Sequence, residues 1–287
     1  MNLILDSHSI GWTCAHALSQ GMSYKGGRTE VIFGYMKQIF AIFDNFDGDQ
    51  AAFCWDYPPY KRKDIFPGYK LKKPMSEEEQ KNLFIVTDQF KELKEYILPQ
   101  LGFVNIFEVE GYESDDIIAK LVIDRSTPDE TIVISGDEDL FQLLDYCSVY
   151  SITKKQTTTK KIFEMHYRLQ PKDWVLVKAI GGCGSDKVPG VAPGIGSKTA
   201  ISYLLDELKK TGKKYNDIKN DKENPEGNFE RNLKLVKLPF KNTPAPRLRK
   251  NNLSMESFKY ICKEYGLDSF LERDMLRRWE NIVERFK

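Results

Sequence analysis

The sequence predicts an α/β protein whose central sheet is mostly parallel and flanked by helices. Three short apolar runs, at residues 3–5, 51–55 and 131–134, have the length and composition of buried strands. Longer stretches with apolar residues at helical spacing lie between them, for example residues 31–43 and 83–98. Because parallel neighbours in a sheet need a crossover connection, this alternation of strands and helices favours a parallel sheet.

An aspartate follows each of the three predicted strands within three residues: Asp6, Asp56 and Asp137. The carboxyl ends of parallel strands lie at one edge of a sheet, where open α/β proteins bind their ligands. We therefore expect the three carboxylates to gather in one acidic pocket. Asp139 extends the third position to an Asp-x-Asp pair, which brings a further carboxylate to the same edge.

Another acidic group lies at residues 111–118, where Glu113, Asp115 and Asp116 fall at the predicted start of a helix. Acidic residues at a helix N-terminus, with Ser114 as the cap, commonly serve only to stabilise the helix. Together with the strand-end aspartates, however, they place so many like charges in one pocket that divalent cations are needed to neutralise them. Ligation by oxygen alone suits Mg²⁺ or Mn²⁺ rather than zinc.

Composition restricts the class of protein. A chain of 287 residues can bury a sizeable core, and its 41% hydrophobic and 30% charged residues are ordinary for a soluble globular protein. No apolar run approaches the roughly 20 residues that cross a bilayer, and residues 1–11 carry no readable secretory signal. The five cysteines are odd in number and include no Cys-x-x-Cys pair. We expect a cytoplasmic protein with reduced thiols and no membrane partner.

The net charge is only +1, but positive charge is concentrated in two segments. Residues 61–73 contain six basic residues and one acidic residue, and residues 209–250 contain thirteen basic and five acidic residues. Such runs are most often solvated surface, and they also suit a polyanionic partner. Residues 209–246 are rich in Lys, Asn and Pro with weak periodicity, which predicts a partly mobile segment. The three histidines receive no role, and the four tryptophans are assigned to the core.

Three runs, in order, resemble the signature blocks of the 5′ nuclease family, which includes flap endonucleases, phage 5′ exonucleases and the 5′ nuclease domain of bacterial DNA polymerase I. They are Gly-Tyr-Glu-Ser-Asp-Asp-Ile-Ile at 111–118, Ser-Gly-Asp-Glu-Asp-Leu-Phe-Gln-Leu at 135–143 and Gly-Ile-Gly-Ser-Lys-Thr-Ala at 194–200. The similarity runs from Asp6 to about Leu205, which is about two thirds of the chain.

The resemblance implies a set of metal-ligating carboxylates that act directly or through water. They are Asp6, Asp56, Glu113, Asp115, Asp116, Asp137, Asp139 and Asp186. Such a set can hold one or two Mg²⁺ or Mn²⁺ ions, a pair lying about 4 Å apart, which activate water and stabilise the charge on the scissile phosphate. The expected products carry a 5′-phosphate and a 3′-hydroxyl.

The first basic segment resembles the part of the family that leads into a helical arch over the active site. By this resemblance Lys70 approaches the scissile phosphate and Arg62 assists it, so that both are expected to be catalytic together with Asp137. Tyr69 is expected to stack on a nearby base, and Lys73 to contact DNA.

The same resemblance divides the chain into a PIN-like nuclease core at residues 1–170, with the arch at about 60–98, and a helical C-terminal region at 171–287. A helix-hairpin motif at 182–206 is expected to bind duplex DNA and to carry K⁺ on backbone carbonyls. A glycine-lined turn that opens a helix offers free N–H groups to a phosphate backbone without reading sequence. The residues expected to contact DNA there are Gly190, Gly194, Gly196, Ser197, Lys198 and Thr199.

The sequence departs from the family pattern just before this motif. The family usually has Gly-Asp-x-x-Asp-Asn, whereas this chain has Cys183 at the first aspartate, Asp186 at the second and Lys187 at the asparagine. A soft thiol is a poor partner for Mg²⁺. A manganese preference, single-metal catalysis and reduced activity are therefore open hypotheses. One residue, around Ala192, is inserted in the glycine turn, so its geometry is expected to differ slightly.

The function expected from these features is that of a monomeric, structure-selective 5′ nuclease acting on DNA with 5′ flaps, nicks or 5′ ends, or on RNA primers, in replication or repair. One alternative is a catalytically weakened relative that binds branched DNA. A second is a PIN-like ribonuclease, which the glycine-rich hairpin and the basic arch segment disfavour.

Overall fold

The computed structural model describes residues 1–17, 22–124 and 130–287. The strands of this part of the chain are β1 (Asn2–Asp6), β2 (Ser23–Tyr24), β3 (Gly27–Arg28), β4 (Gln50–Trp55), β5 (Ile106–Glu108), β6 (Thr131–Ile134), β7 (Ser148–Ser151) and β8 (Gln156–Thr158). Six of them form one sheet in the order β5-β4-β1-β6-β7-β8, and β2 pairs with β3 alone. All neighbours in the large sheet are parallel except β7 and β8.

The helices in the same described residues are α1 (Ser7–Ala17), α2 (Glu30–Asn45), α3 (Glu77–Glu92), α4 (Leu98–Gln100), α5 (Ser114–Ile123), α6 (Lys160–Tyr167), α7 (Trp174–Gly181), α8 (Ser197–Leu204), α9 (Lys213–Glu223), α10 (Asn228–Val236), α11 (Met255–Glu264) and α12 (Arg273–Arg285). A π-helical turn at Leu93–Ile97 joins α3 to α4. None of these helices is both long enough and apolar enough to span a membrane.

The central strand β1 explains why the predicted strands are continuous apolar runs. Leu3, Ile4 and Leu5 are fully buried, because helices cover both faces of the sheet. β1 pairs with β4 and β6, so that Asp6 lies opposite Cys54 and Leu5 opposite Ile134. The three strands therefore end at the same edge. The predicted fold class, a mostly parallel sheet flanked by helices, is confirmed.

The sheet separates two hydrophobic cores, and the C-terminal region contributes to both. On one face the N-terminal helix α2 packs against α12, with Phe40 and Phe258 around Trp279; the Phe258 and Trp279 rings stack with centroids 4.4 Å apart. On the other face α5 shares a core with α7 and α10. The last two helices, which belong to the predicted C-terminal region, thus complete the N-terminal core.

The segment at residues 209–246, predicted to be weakly periodic and partly mobile, forms regular helices over much of its length. Helices α9 and α10 occupy much of residues 213–236, and α10 buries Phe229, Asn232 and Leu235 against α7. The outer faces of these helices are rich in lysine. Their apolar residues therefore recur at helical spacing only within each helix, and the hydrophobicity of the whole segment is low.

Candidate metal and nucleic-acid site

Asp6 lies at the end of β1 and joins three parts of the sheet edge. Its Oδ1 accepts hydrogen bonds from the Ser9 amide (3.1 Å) and from the Ser114 hydroxyl (3.0 Å). Its Oδ2 accepts from the Ser135 hydroxyl (2.7 Å), directly after β6. The residue is 3% exposed. The ends of β1 and β6 and the start of α5 therefore come together around this buried carboxylate.

Ser114 has a different role from the helix cap that its position predicts. Its hydroxyl donates to Asp6, and its backbone N–H donates to Asp56 Oδ1 (2.8 Å). Tyr60 OH donates to the other oxygen of Asp56 (2.9 Å). The start of α5 thus holds two strand-end aspartates together.

Burial and mutual repulsion raise the pKa of two carboxylates at this edge. Burial raises the pKa of Asp6, and the neighbouring Asp56 charge adds to the shift. Burial also raises the pKa of Asp115 well above its ordinary value, with further repulsion from Asp137 and Asp6. A divalent cation would relieve this repulsion, because oxygen-rich anionic clusters are stabilised by hard cations.

A second group of possible ligands lies beside the first. One ligand atom each of Asp139, Cys183 and Asp186 lie within 4.8 Å of one another, and within the described ranges no other set of three His, Cys, Asp or Glu side chains is as compact. Cys183 is held by a narrow turn in which its N–H and C=O both bond to Val188 (2.9 Å each). Burial, followed by the charges of Asp139 and Asp186, raises the pKa of the Cys183 thiol to about 11.

Lys178 is a site residue that the sequence analysis missed. It projects from α7, and its ammonium forms an ion pair with Asp139. The signal was a single lysine inside the otherwise apolar helix at residues 174–181. A charged residue at such a position is costly unless it has a partner, so it indicates a buried carboxylate nearby.

The structure corrects the expected roles of Arg62 and Asp116. Arg62 is 3% exposed, and its two terminal nitrogens bond to the two oxygens of Asp116 (2.5 and 2.8 Å). Asp116 is fully buried and also accepts from the N–H groups of Phe240 (2.8 Å) and Glu113 (3.2 Å). With both oxygens engaged, Asp116 is not placed to ligate a metal, and Arg62 is not placed to contact a phosphate. They form a buried ion pair that supports Glu113.

Tyr69 is also placed differently from the expectation of base stacking. It is 3% exposed, and its hydroxyl donates to Glu113 (2.7 Å). Burial of the ring leaves no free face for a base. Arg62 contacts the same Glu113 carboxylate at 2.8 Å, so that Tyr69 and Arg62 fix its orientation together.

Lys70 lies between the two groups of carboxylates. Its ammonium pairs with Glu113 and is 3.7 Å from Asp186, while its backbone N–H donates to the Asp186 carbonyl (2.8 Å). It has a positive φ of 46°, a strained conformation for a residue other than glycine. Lys70 thus lies at the carboxylate edge, whereas Lys73 is exposed on the surface.

A cavity of about 770 Å³ opens beside Lys70, between α1, the basic segment and α3. Its walls include Trp12 and His16, whose rings stack 5.9 Å apart at 29°. Of the four tryptophans assigned to the core, Trp55, Trp174 and Trp279 are buried, whereas Trp12 is half-buried: it packs against one hydrophobic core and also lines this cavity. The missed signal was an aromatic pair at helical spacing shortly after Asp6.

The glycine turn opens α8 as predicted. Gly190 lies so close to other backbone atoms that an added Cβ would meet carbonyl oxygens at 2.5 and 2.9 Å. Gly194 has φ +76°, which a glycine tolerates best. Gly194, Gly196 and Lys198 are exposed, while Ser197 and Thr199 are half-buried at the start of the helix. The buried Asn232 donates to the Pro189 carbonyl (2.7 Å) and fixes the turn to α10.

The site combines carboxylates at the ends of parallel strands, a lysine between them and an exposed glycine turn. These features are typical of proteins that bind phosphate groups with the help of metal ions. The family model described as "5′-3′ exonuclease, N-terminal resolvase-like domain" matches residues 1–168. The chain belongs to this family.

Curated relatives agree with this membership, and a solved structure shares the fold. A thermostable DNA polymerase I of Thermus thermophilus is 31% identical over 230 residues, which cover 78% of this chain and 26% of the relative. A 5′-3′ exonuclease of Buchnera aphidicola subsp. Schizaphis graminum is 29% identical over 242 residues, covering 83% of this chain and 76% of that one. The T5 D15 protein co-crystallised with metal ions has the same fold, with a TM-score of 0.68 and 21% identity over the whole of both chains. The chain spans about a quarter of the length of its polymerase relatives.

Proposed function

We propose that the protein is a structure-selective, divalent-metal-dependent 5′ nuclease that hydrolyses phosphodiesters in DNA as a 5′ to 3′ exonuclease and flap endonuclease. The observation that carries the proposal is the carboxylate edge around the buried Asp6 and the half-buried Asp115, where mutual repulsion adds to the raised pKa of both side chains, in a member of the 5′-3′ exonuclease family. The names of the polymerase and exonuclease relatives support the same activity.

The first group of oxygens suits a hard cation. Asp6, Asp56, Glu113, Asp115 and Asp137 would hold Mg²⁺ or Mn²⁺ there, directly or through water. When bound, the ion supplies activation of water and stabilisation of charge on the scissile phosphate. Co-crystallisation of the T5 D15 protein with metal ions supports this assignment. The second group contains a thiol and does not fit Mg²⁺.

The chain's own residues would position the substrate. Lys70 would exchange its pairing with Glu113 for the phosphate, because its ammonium already lies at the carboxylate edge. The cavity beside Trp12 would admit a single-stranded 5′ end, and Lys73 would attract its backbone. The exposed N–H groups around Gly194 and Ser197 would bind the duplex backbone, with K⁺ on the carbonyls of the turn. RNA-primed DNA, action as a monomer and a cytoplasmic location belong to the same proposal.

The test is cleavage of a 5′-labelled flap and of a nicked duplex with Mg²⁺ or Mn²⁺. Asp137→Ala is expected to slow cleavage more than about 100-fold, because metal ligation contributes several kcal/mol to the transition state. Asp124→Ala removes a carboxylate that is paired with Lys120 and serves as the matched control. Flap binding by the wild type without cleavage in either metal would contradict the proposal. It would favour a branched-DNA-binding relative, an alternative suggested by Cys183 at the position of an expected aspartate ligand. Preferential cleavage of plain single-stranded RNA would favour a ribonuclease.

A further inference from the structure

We propose that Asp139, Cys183 and Asp186 form a mixed sulfur–oxygen metal site that selects a soft or borderline divalent cation, such as Zn²⁺ or Co²⁺, over Mg²⁺. The inference rests on the proposed nuclease function only in that the site lies at its second metal position. The metal chemistry itself is independent of cleavage.

The ligand atoms of Asp139, Cys183 and Asp186 need only small movements to reach the distances of a bound ion. The three ligand atoms lie within 4.8 Å of one another. In a tetrahedral zinc site, Zn–S and Zn–O distances of about 2.3 and 2.0 Å place the sulfur and oxygen about 3.5 Å apart. Cys183 and Asp186 lie on one narrow turn closed by the backbone pair of Cys183 with Val188, so their separation varies little.

The donor set decides the class of metal. Mg²⁺ requires near-octahedral oxygen ligation, whereas thiolate ligands favour Zn²⁺ and other softer ions. Three protein ligands leave one position open, as in catalytic rather than structural zinc sites. Ser185 Oγ lies 3.0 Å from Cys183 Sγ and can donate a hydrogen bond to the sulfur, as groups around a metal site commonly do for its ligands.

Lys178 opposes cation binding at this site. Its ammonium pairs with Asp139, one of the three ligands, and its helix α7 ends directly before the turn that carries Cys183. A dication would have to share Asp139 with this ammonium or displace it, because like charges at such distances repel strongly. The lysine therefore weakens the binding of every dication. Only an ion whose bond to the sulfur outweighs this repulsion is expected to occupy the site.

A consequence follows for the whole carboxylate edge. The oxygen-only group around Asp6 takes a hard ion, whereas the group around Cys183 takes a soft one, so the two positions can be filled by different metals. The second position would then make the protein sensitive to Zn²⁺ at a fixed Mg²⁺ concentration.

The experiment is a titration of the metal-free, full-length protein with Co²⁺, followed by optical absorption. The expected result is a near-ultraviolet sulfur-to-cobalt charge-transfer band that saturates at one equivalent and is not displaced by excess Mg²⁺. Cys183→Ser and Cys183→Asp are expected to lose the band, and Cys147→Ser, which alters another buried thiol, to retain it. Lys178→Met is expected to give the same band at a lower Co²⁺ concentration.

Absence of the band from a folded wild type, checked by circular dichroism, would overturn the proposal, as would a band that persists in Cys183→Ser. Displacement of Co²⁺ by Mg²⁺ at comparable concentrations would overturn the claimed selectivity. Because absorption does not depend on cleavage, an inactive protein with the band would reject only the proposed nuclease function. An active protein without the band would reject only this site.

Discussion

The clearest test of the buried ion pair is Arg62→Met, which keeps an unbranched apolar stem and removes the charged guanidinium. A basic segment of this kind is ordinarily expected to contact DNA, so loss of Arg62 would affect binding alone. The structure predicts instead a large loss of folding stability, because Arg62 is 3% exposed and paired with the fully buried Asp116.

The magnitude follows from the contacts of Asp116. The substitution removes two charge-assisted hydrogen bonds of 2.5 and 2.8 Å and leaves a buried carboxylate with two backbone donors, the N–H groups of Glu113 and Phe240. Breaking a buried pair by removal of one partner typically costs about 3–5 kcal/mol. Two bonds to a charged group, at about 1.5–3 kcal/mol each, give a similar range.

The assay is urea unfolding at neutral pH of Arg62→Met, Asp116→Asn and the double variant. The free energy of unfolding is expected to fall by about 3–5 kcal/mol for Arg62→Met, and the double variant to lose at least about 1 kcal/mol less than the sum of the single losses. Arg62 lies in a short 3-10 helix at Lys61–Asp64. Lys63→Met changes a half-exposed lysine of that helix and is expected to stay within about 0.5 kcal/mol of the wild type.

Three results would refute this reasoning: a loss below about 1 kcal/mol for Arg62→Met, additive losses in the double variant, or an equal loss for Lys63→Met. A variant with normal stability but strongly weakened, salt-dependent DNA binding would restore the phosphate-contacting role for Arg62.

Three further predictions concern the carboxylates, the cavity and the glycine turn. Folding raises the pKa of Asp115 above its ordinary 3.8. In the metal-free protein, the free energy of unfolding is therefore expected to fall as the pH rises from about 4 through the raised pKa, because a charged Asp115 is disfavoured in the folded state. Asp115→Asn is therefore expected to raise the melting temperature of the metal-free protein at neutral pH and to weaken stabilisation by Mg²⁺; a lower melting temperature would contradict this. Trp12→Ala is expected to weaken binding of a 5′ single-stranded flap by about 1–3 kcal/mol in fluorescence anisotropy, with blunt duplex binding unchanged, and equal losses on both substrates would argue against the cavity as the strand's path. Gly190→Ala is expected to lower stability by about 1–3 kcal/mol and to reduce duplex affinity, because its Cβ would meet two carbonyl oxygens, whereas Gly27→Ala, with one contact at 3.7 Å, is the tolerated control; equal thermal stability of the two variants would show that the turn adjusts freely.

The predictions from sequence that succeeded rest on local patterns. Apolar runs of strand length followed by aspartates identified the edge at which Asp6, Asp56 and Asp137 lie, because parallel strands end together whatever their detailed register. The glycine turn before α8 was equally readable, since glycine spacing and the following helix are determined within a few residues.

The errors concern residues whose role depends on a distant partner. Arg62 and Tyr69 belong to an exposed-looking basic run, yet they turn inward because Asp116 and Glu113, more than forty positions away, need buried partners. Lys178 escaped notice for the same reason.

The sequence by itself determined the parallel α/β class, the acidic strand edge, the glycine hairpin and the replacement of an expected aspartate by Cys183. Only the tertiary structure decided which charged side chains face solvent and which neutralise one another, and it brought Cys183 to Asp139 across 44 positions of the chain. The reason is that a side chain's chemistry is local, whereas its burial and its ionic partners are properties of the packed chain.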